Sequence, residues 1–153
     1  MYQIKIIKNI EKIESLDKLI KLIQKQMTVI GGCSDSLHIK GALENALKPE
    51  SRSVFFLWYT ESNDIGAFAF SNICAGLETG ADYLWINELF VDDNFRKRNV
   101  ASEMIQFIEK WSKENQIKYM ACTTGLTNEP AQKLYKKNGF DIHKTMWVDK
   151  SIE

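Results

Sequence analysis

The sequence predicts an α/β fold of the α+β type, a single domain over residues 1–153 with a mixed, mostly antiparallel sheet flanked by helices. Three observations lead there. Apolar residues recur at helical spacing in the first third of the chain, then give way to β-branched and aromatic runs in the middle. Those runs are joined by turn chemistry at Ser62-Asn63-Asp64, which makes a hairpin and so an antiparallel pair. The last third alternates strand, helix and strand, an order that adds a parallel neighbour and lays helices on the sheet faces.

Taken in order, residues 2–8 are β-branched and partly alternating, and read as a first strand. Ile13, Leu16, Leu19, Ile20, Ile23 and Met27 follow at helical spacing with Lys and Glu between them, an amphipathic helix. Residues 28–33, containing Gly31-Gly32, interrupt it, and a second helix over residues 36–47 ends before Pro49. Val54, Phe55, Phe56, Leu57, Trp58 and Tyr59 make residues 53–60 an aromatic strand, better suited to a core than to a ligand box, and residues 65–74 are its hairpin partner. After a loop through Gly76 and Gly80, residues 83–91 form a third long strand. Val100, Met104, Phe107, Ile108 and Trp111 share one face of a helix over residues 100–111. Residues 117–124 then read as a strand, 128–137 as a helix closed by Asn138-Gly139, and 140–148 as a last strand.

Composition bounds the function. The 153 residues carry 20 basic and 20 acidic side chains, a formal charge of +0, which argues against a polyanion-coating protein and hence against a nucleic-acid partner. With 44% hydrophobic and 26% charged residues, the chain matches a domain that buries about 68–70% of its unfolded surface. The first residues lack the apolar run of a signal peptide and no window approaches ~20 uninterrupted apolar residues, so no membrane partner and a cytoplasmic location are expected. Cys33, Cys74 and Cys122 are odd in number, form no C-x-x-C pair, and read as reduced packing thiols. His38 and His143 stand apart, so no metal site is expected.

The most informative stretch is Val91-Asp92-Asp93-Asn94-Phe95-Arg96-Lys97-Arg98-Asn99-Val100-Ala101-Ser102, where a strand passes into a helix. A helix N-terminus is already partly positive, and each cation held close to it costs roughly 0.3–1 kcal/mol. An anion in the turn reverses that sign, accepting backbone N–H bonds while the cations neutralise it. The plainer reading is a solvated basic turn offset by Asp92 and Asp93. Neither G-x-x-x-x-G-K-[ST] nor G-x-G-x-x-G occurs, which disfavours a P-loop NTPase and a dinucleotide fold. The run Arg96-Lys97-Arg98-Asn99-Val100-Ala101 resembles the [QR]-x-x-G-x-[GA] pyrophosphate loop of the GCN5-related N-acetyltransferases (GNAT), with Asn99 where the family usually has Gly. Asn tolerates the left-handed region better than most residues. A second segment, from Asn128 through Ala131 and Tyr135 to Gly139-Phe140, is similar to the family signature N-x-x-A-x-x-x-Y-x-x-x-G-F. The order of elements matches as well, so the resemblance spans the chain.

That resemblance implies acetyl-CoA as donor substrate, no metal, and a third long strand that splays from its neighbour so that the pantetheine arm pairs with the backbone of Leu89, Phe90 and Val91. The N–H groups of Arg98, Asn99, Ala101 and Ser102 would meet the pyrophosphate around Val100, with Arg96 and Lys97 supplying charge. Glu88 lies beside this track. Simple alternation puts it on the face of Leu84, Ile86 and Phe90, where desolvation raises a carboxyl pKa from about 4.3 into the range of a useful base. A cross-strand ion pair is its structural alternative. Tyr135 would stabilise the departing CoA thiolate, although packing one turn after Ala131 would also account for it. Asn128 reads both as a helix cap and as a pantetheine contact.

The expected function is transfer of an acetyl group from acetyl-CoA to a primary amine of a small-molecule or peptide acceptor, by direct attack in a ternary complex. The alternative is a non-catalytic acyl-CoA-binding or sensing module on the same fold. A covalent Cys122 intermediate lacks an accompanying His motif. The family also allows a homodimer, and fold analogy puts acceptor specificity in residues 28–36 and 74–82. The zero net charge conceals unlike blocks. Residues 1–52 hold 9 basic and 6 acidic side chains, residues 53–95 hold 0 and 7, and residues 96–153 hold 11 and 7. One reading of the acidic block is solvated hairpin loops; the other is an approach that attracts an amine, with Glu78 and Asp82 at its edge.

Overall fold

The computed structural model describes residues 1–152. They form two compact units, one over Met1–Thr123 and one that begins at Thr124. The first contains a five-stranded sheet whose strands lie in chain order. Strands β1 (Gln3–Ile7), β2 (Ser53–Tyr59), β3 (Ile65–Gly76) and β4 (Ala81–Val91) are antiparallel neighbours, and β5 (Tyr119–Ala121) runs parallel to β4. Between β1 and β2 come α1 (Leu16–Ile30) and α2 (Ser36–Ala46), while α3 (Val100–Glu114) makes the crossover from β4 to β5. The mixed, mostly antiparallel sheet with helices on both faces is the architecture the sequence implied.

Both faces are covered, which is why every residue of β2 is buried. Phe55, Leu57 and Tyr59 pack against Leu19, Ile23, Ile39 and Leu43 of α1 and α2. Val54, Phe56 and Trp58 pack instead with Val100, Met104, Ile108 and Trp111 of α3. Each fully buried large apolar side chain contributes about 1.5–3 kcal/mol over its exposed state, so the aromatic strand is core, as expected. Helix α1 ends where Gly31 turns left-handed (φ 75°) and donates its N–H back to Met27. Helix α2 begins where the Asp35 carboxylate accepts the His38 N–H at 2.8 Å.

Two irregularities in the sheet position the site. Opposite the step from Phe70 to Ser71, β4 carries an extra residue: Glu88 faces Phe70 and Ile86 faces Ser71, leaving Asn87 as a bulge. Alternation is therefore broken. Leu84 and Ile86 face α3, whereas Glu88 lines a cavity among side chains of α1 and α2, and Phe90 belongs to that same cluster. The expectation that Glu88 shares a face with Leu84 and Ile86 is thus corrected, because one inserted residue reverses the parity of everything beyond it. The second irregularity is the brevity of β5. Its ladder with β4 covers only Tyr83–Trp85 against Tyr119–Ala121, so residues 122–124 do not extend the strand as predicted. From Ile86 to Val91 the side of β4 turned away from β3 has no partner strand among the described residues.

The second unit contains α4 (Glu129–Lys137), capped by the Asn128 side chain, which accepts the Ala131 N–H at 3.3 Å, with Pro130 in the first turn. Residues 140–148, expected to be a strand, are not one. A strand exists only against a ladder partner, and these residues pair with none among the described residues. Met146, Trp147 and Val148 are 88%, 72% and 83% exposed, so alternation alone did not supply a face to bury.

Candidate active site

Helix α1, helix α2 and the α1-side face of the sheet line a half-open cavity of about 250 Å³. It is lined mainly by apolar side chains, among them Ile23, Met27, Ile39, Leu43, Phe55 and Phe70, and Glu88 is the one carboxylate. The Glu88 carboxylate accepts a hydrogen bond from the Gln26 side-chain amide. Burial raises the Glu88 carboxyl above its ordinary pKa, and the bond from Gln26 offsets part of that rise. A half-buried carboxylate held by a neutral amide, rather than by a cation, is a stronger base than a solvated one. The direction of the shift is the one read from the sequence.

Its neighbours on β4 divide by face. Leu89 and Val91 pack with the α3 cluster and Phe90 with the α1–α2 cluster, so their side chains are structural and their main chain forms the unpartnered edge. Beyond Val91 the chain makes a short 3₁₀ turn over Asp93–Phe95, then a tight turn through residues 96–99 into α3. Asn99 adopts the left-handed conformation (φ 66°), as its tolerance for that region predicted, and Lys97 does so too (φ 59°). The turn is braced from below: a Cβ on Gly66 would lie 2.7 Å from the Phe95 ring and 2.8 Å from Trp58. The Gly66 carbonyl accepts the Asp92 N–H at 2.9 Å. Val100 and Ser102 are buried at the start of α3, Ala101 is partly so, and the first-turn amides of Val100 and Ala101 have no carbonyl one turn earlier to bond.

The three cations of this turn are exposed but not equivalent. Arg96 pairs with Asp93 at 2.8 Å, donates to the Val91 carbonyl at 3.0 Å and sits over the Phe90 ring. Arg98 lies over the Phe95 ring, its guanidinium carbon 5.9 Å from the centroid. Asp92 is buried and pairs with Lys25, one residue before Gln26. Burial alone would raise its carboxyl, but the bonds from Lys25 and Asn94 outweigh burial and hold it below the ordinary value. Adjacent residues of α1 thus grip two carboxylates of the β4 segment, fixing the helix against the strand.

The acidic block resolves into ion pairs. Asp64 pairs with Lys18, Asp82 with Arg52, Asp92 with Lys25 and Asp93 with Arg96. Asp82 is therefore compensated, while Glu78, the other acidic residue expected at the edge of the approach, is exposed. Of the two expected specificity segments, residues 28–36 contribute Cys33 to the cavity and residues 74–82 contribute nothing. Asn128 and Tyr135 lie in the second unit, on the helix they were expected to share. There the Tyr135 ring is buried and meets Phe140 edge-on, with centroids 5.3 Å apart. Among the described residues no group of His, Cys, Asp and Glu is placed to hold a metal. The cavity-lining Gln26 and Phe70 carry no role in the sequence reading, and His38, read there only as a histidine standing apart, lines the cavity as well. Gln26 had a visible signal, since it falls three residues after Ile23 on the apolar stripe of α1 and is itself polar.

The acetyltransferase (GNAT) family model matches residues 16–140. No curated protein shows a significant sequence match. The fold is similar to the crystal structure of a probable acetyltransferase, with a TM-score of 0.86 and 23% identity over 99% of each chain. It is also similar to AAC(6')-Iy in complex with the bisubstrate analogue CoA-S-monomethyl-acetylneamine, with a TM-score of 0.76 and 21% identity over 99% of each chain. A third similar fold is an aminoglycoside acetyltransferase from an uncultured soil metagenomic sample in complex with sisomicin, with a TM-score of 0.80 and 16% identity over 99% of this chain and 97% of that one.

Proposed function

The chain belongs to the acetyltransferase (GNAT) family, and from that premise we propose that it moves an acetyl group from acetyl-CoA to a primary amine of a small-molecule or peptide acceptor by direct attack in a ternary complex. The observation that carries this reading is Glu88: a half-buried carboxylate with a raised pKa, lining a cavity, on the strand whose edge is unpartnered from Ile86 onward. An ammonium has no lone pair, so the acceptor first gives a proton to Glu88, directly or through water. The amine nitrogen then attacks the thioester carbonyl, the C–S bond breaks, and the second proton shed by the nitrogen passes to the departing sulfur, so that acetamide and CoA thiol separate with Glu88 protonated. Tyr135 hydrogen-bonds that sulfur. Full transfer of its proton is uphill by ~2 kcal/mol from the ordinary thiol and phenol pKa values, so the proton follows late.

In this reading the donor lies with its pantetheine along Leu89, Phe90 and Val91 and within reach of Asn128, and its pyrophosphate at Arg98, Asn99, Val100, Ala101 and Ser102. Lys97 supplies charge, and so does Arg96 once it is drawn from Asp93. Residues 1–153 act as one domain, which the proposal sets in the cytoplasm, in keeping with three free cysteines. A homodimer is compatible with it. No helix is long and apolar enough to cross a membrane among the described residues.

The test is CoA thiol release from acetyl-CoA against a set of amines, with initial velocities measured while both substrates vary. Direct attack predicts intersecting double-reciprocal lines. Parallel lines and an acetylated Cys122 would replace it with a covalent route. Tight acetyl-CoA binding without turnover on any amine would favour the sensing module.

A further inference from the structure

We infer that the acceptor is a primary monoamine carried on a compact apolar body, and that Gln26 reads its amino group beside Glu88; the inference rests on the transfer reaction proposed above. Gln26 is only 6% exposed, and its amide donates to the Glu88 carboxylate. A carboxylate can only accept, so the NH₂ end of the amide must face it. The other end, Oε1, is then left buried without a hydrogen-bond partner. Buried acceptors of this kind are rare in folded proteins, and this one belongs to a residue lining the cavity. Oε1 itself has almost no exposed surface, so a small turn of the Gln26 side chain brings it to the cavity wall, where a primary ammonium supplies what is missing: one N–H to Glu88 and a second to Gln26 Oε1. After proton transfer to Glu88, an N–H still bonds Oε1 while the lone pair is free to attack.

The rest of the cavity describes the rest of the molecule. Beyond Glu88, Gln26, Cys33 and His38 its lining is aliphatic and aromatic, and no second carboxylate faces it. A polycation would carry further charges into a space with nothing to pair them, a heavy desolvation cost. An alkyl or arylalkyl substituent is instead matched by Ile23, Met27, Ile39, Leu43, Phe55 and Phe70.

The experiment compares phenethylamine and hexylamine with spermidine and kanamycin, by acetyl transfer and by calorimetric binding in the presence of CoA. Phenethylamine and hexylamine should show kcat/KM at least about tenfold above the polycations. Gln26→Met should raise the KM for phenethylamine roughly ten- to a hundredfold and leave that for acetyl-CoA unchanged. It should also abolish the preference for phenethylamine over N,N-dimethylphenethylamine in binding, since the tertiary ammonium has one N–H and cannot use Oε1 anyway. A variant that was merely misfolded would weaken both amines and acetyl-CoA alike; Gln26→Asn, which keeps the amide, then serves as the second variant, with the same loss of discrimination expected in weaker form. Equal or better use of spermidine or kanamycin overturns the inference and leaves acetyl transfer standing. Apolar amine binding that depends on Gln26, without transfer to any amine, overturns the transferase reading and keeps the ligand class. Absence of both binding and transfer of the apolar amines overturns the inference outright.

Discussion

Replacing Glu88 by Gln removes the ionisable oxygen while keeping size and hydrogen-bonding capacity, so it separates proton acceptance from packing. General-base catalysis contributes 10²–10⁴-fold, and at 1.36 kcal/mol per decade the barrier should rise by about 2.7–5.4 kcal/mol. The structure adds a second, opposite expectation for stability. Burial, the larger influence, raises the Glu88 carboxyl, so the folded protein holds that proton more tightly than the unfolded chain does. Its contribution to stability is then full below the unfolded pKa and is lost as pH rises through the folded one. At neutral pH the wild type bears a partly desolvated charge that the Gln variant lacks, and Glu88→Gln should melt no lower than wild type, the difference closing in acid. The assays are kcat/KM against pH and thermal melts at pH 4 and pH 7. The wild-type acid limb should stand above the ordinary carboxyl value of ~4.3 and disappear in the variant. An unchanged kcat/KM removes Glu88 from the chemistry. A lowered Tm with the acid limb intact would mean that the residue is a structural partner.

Other consequences follow from the same geometry. Tyr135→Phe should lower kcat by about tenfold or more while leaving acetyl-CoA affinity within twofold, read by steady-state kinetics and calorimetry; an equal kcat sinks the thiolate role. Asn99 stands at φ 66°, so Asn99→Val should cost about 1–3 kcal/mol of strain and weaken CoA binding, whereas Asn99→Gly should bind CoA at least as well as wild type. Asp92 has its folded pKa lowered, so its stabilisation is present above the unfolded value and lost as pH falls through the folded one. Asp92→Asn should therefore cost on the order of 1 kcal/mol at pH 7 and progressively less in acid, as urea melts across pH would report.

Much of the first unit could be read from sequence because single, local signals decided it. The apolar stripe of α1, the turn at Ser62-Asn63-Asp64 and the left-handed Asn99 each depend on few neighbours. The place of Glu88 on its strand is legible in the sequence, but the face it occupies is not. The Asn87 bulge is a property of pairing with β3, where Phe70 and Ser71 meet Glu88 and Ile86, and one strand read alone carries no trace of it. The same limit applies to residues 140–148, where alternation signals a strand but cannot supply a ladder partner. Gln26 was passed over because attention to apolar spacing treats a polar residue on the stripe as an interruption. Its buried, unpaired oxygen becomes meaningful only beside Glu88. Within the acidic block, composition counts Asp64, Asp82, Asp92 and Asp93 as open charge, while the fold pairs each of these four with a cation.

The central claim is that one acetyl donor and one amine meet at Glu88, beside the free edge of β4. A crystal structure of the protein with CoA and phenethylamine tests it most directly. The expected complex has the pantetheine along residues 89–91, the pyrophosphate at the start of α3, and the amine nitrogen within hydrogen-bonding distance of Glu88 and Gln26 Oε1, facing the CoA sulfur. CoA bound away from β4, or the amine outside the cavity between α1, α2 and the sheet, would contradict it.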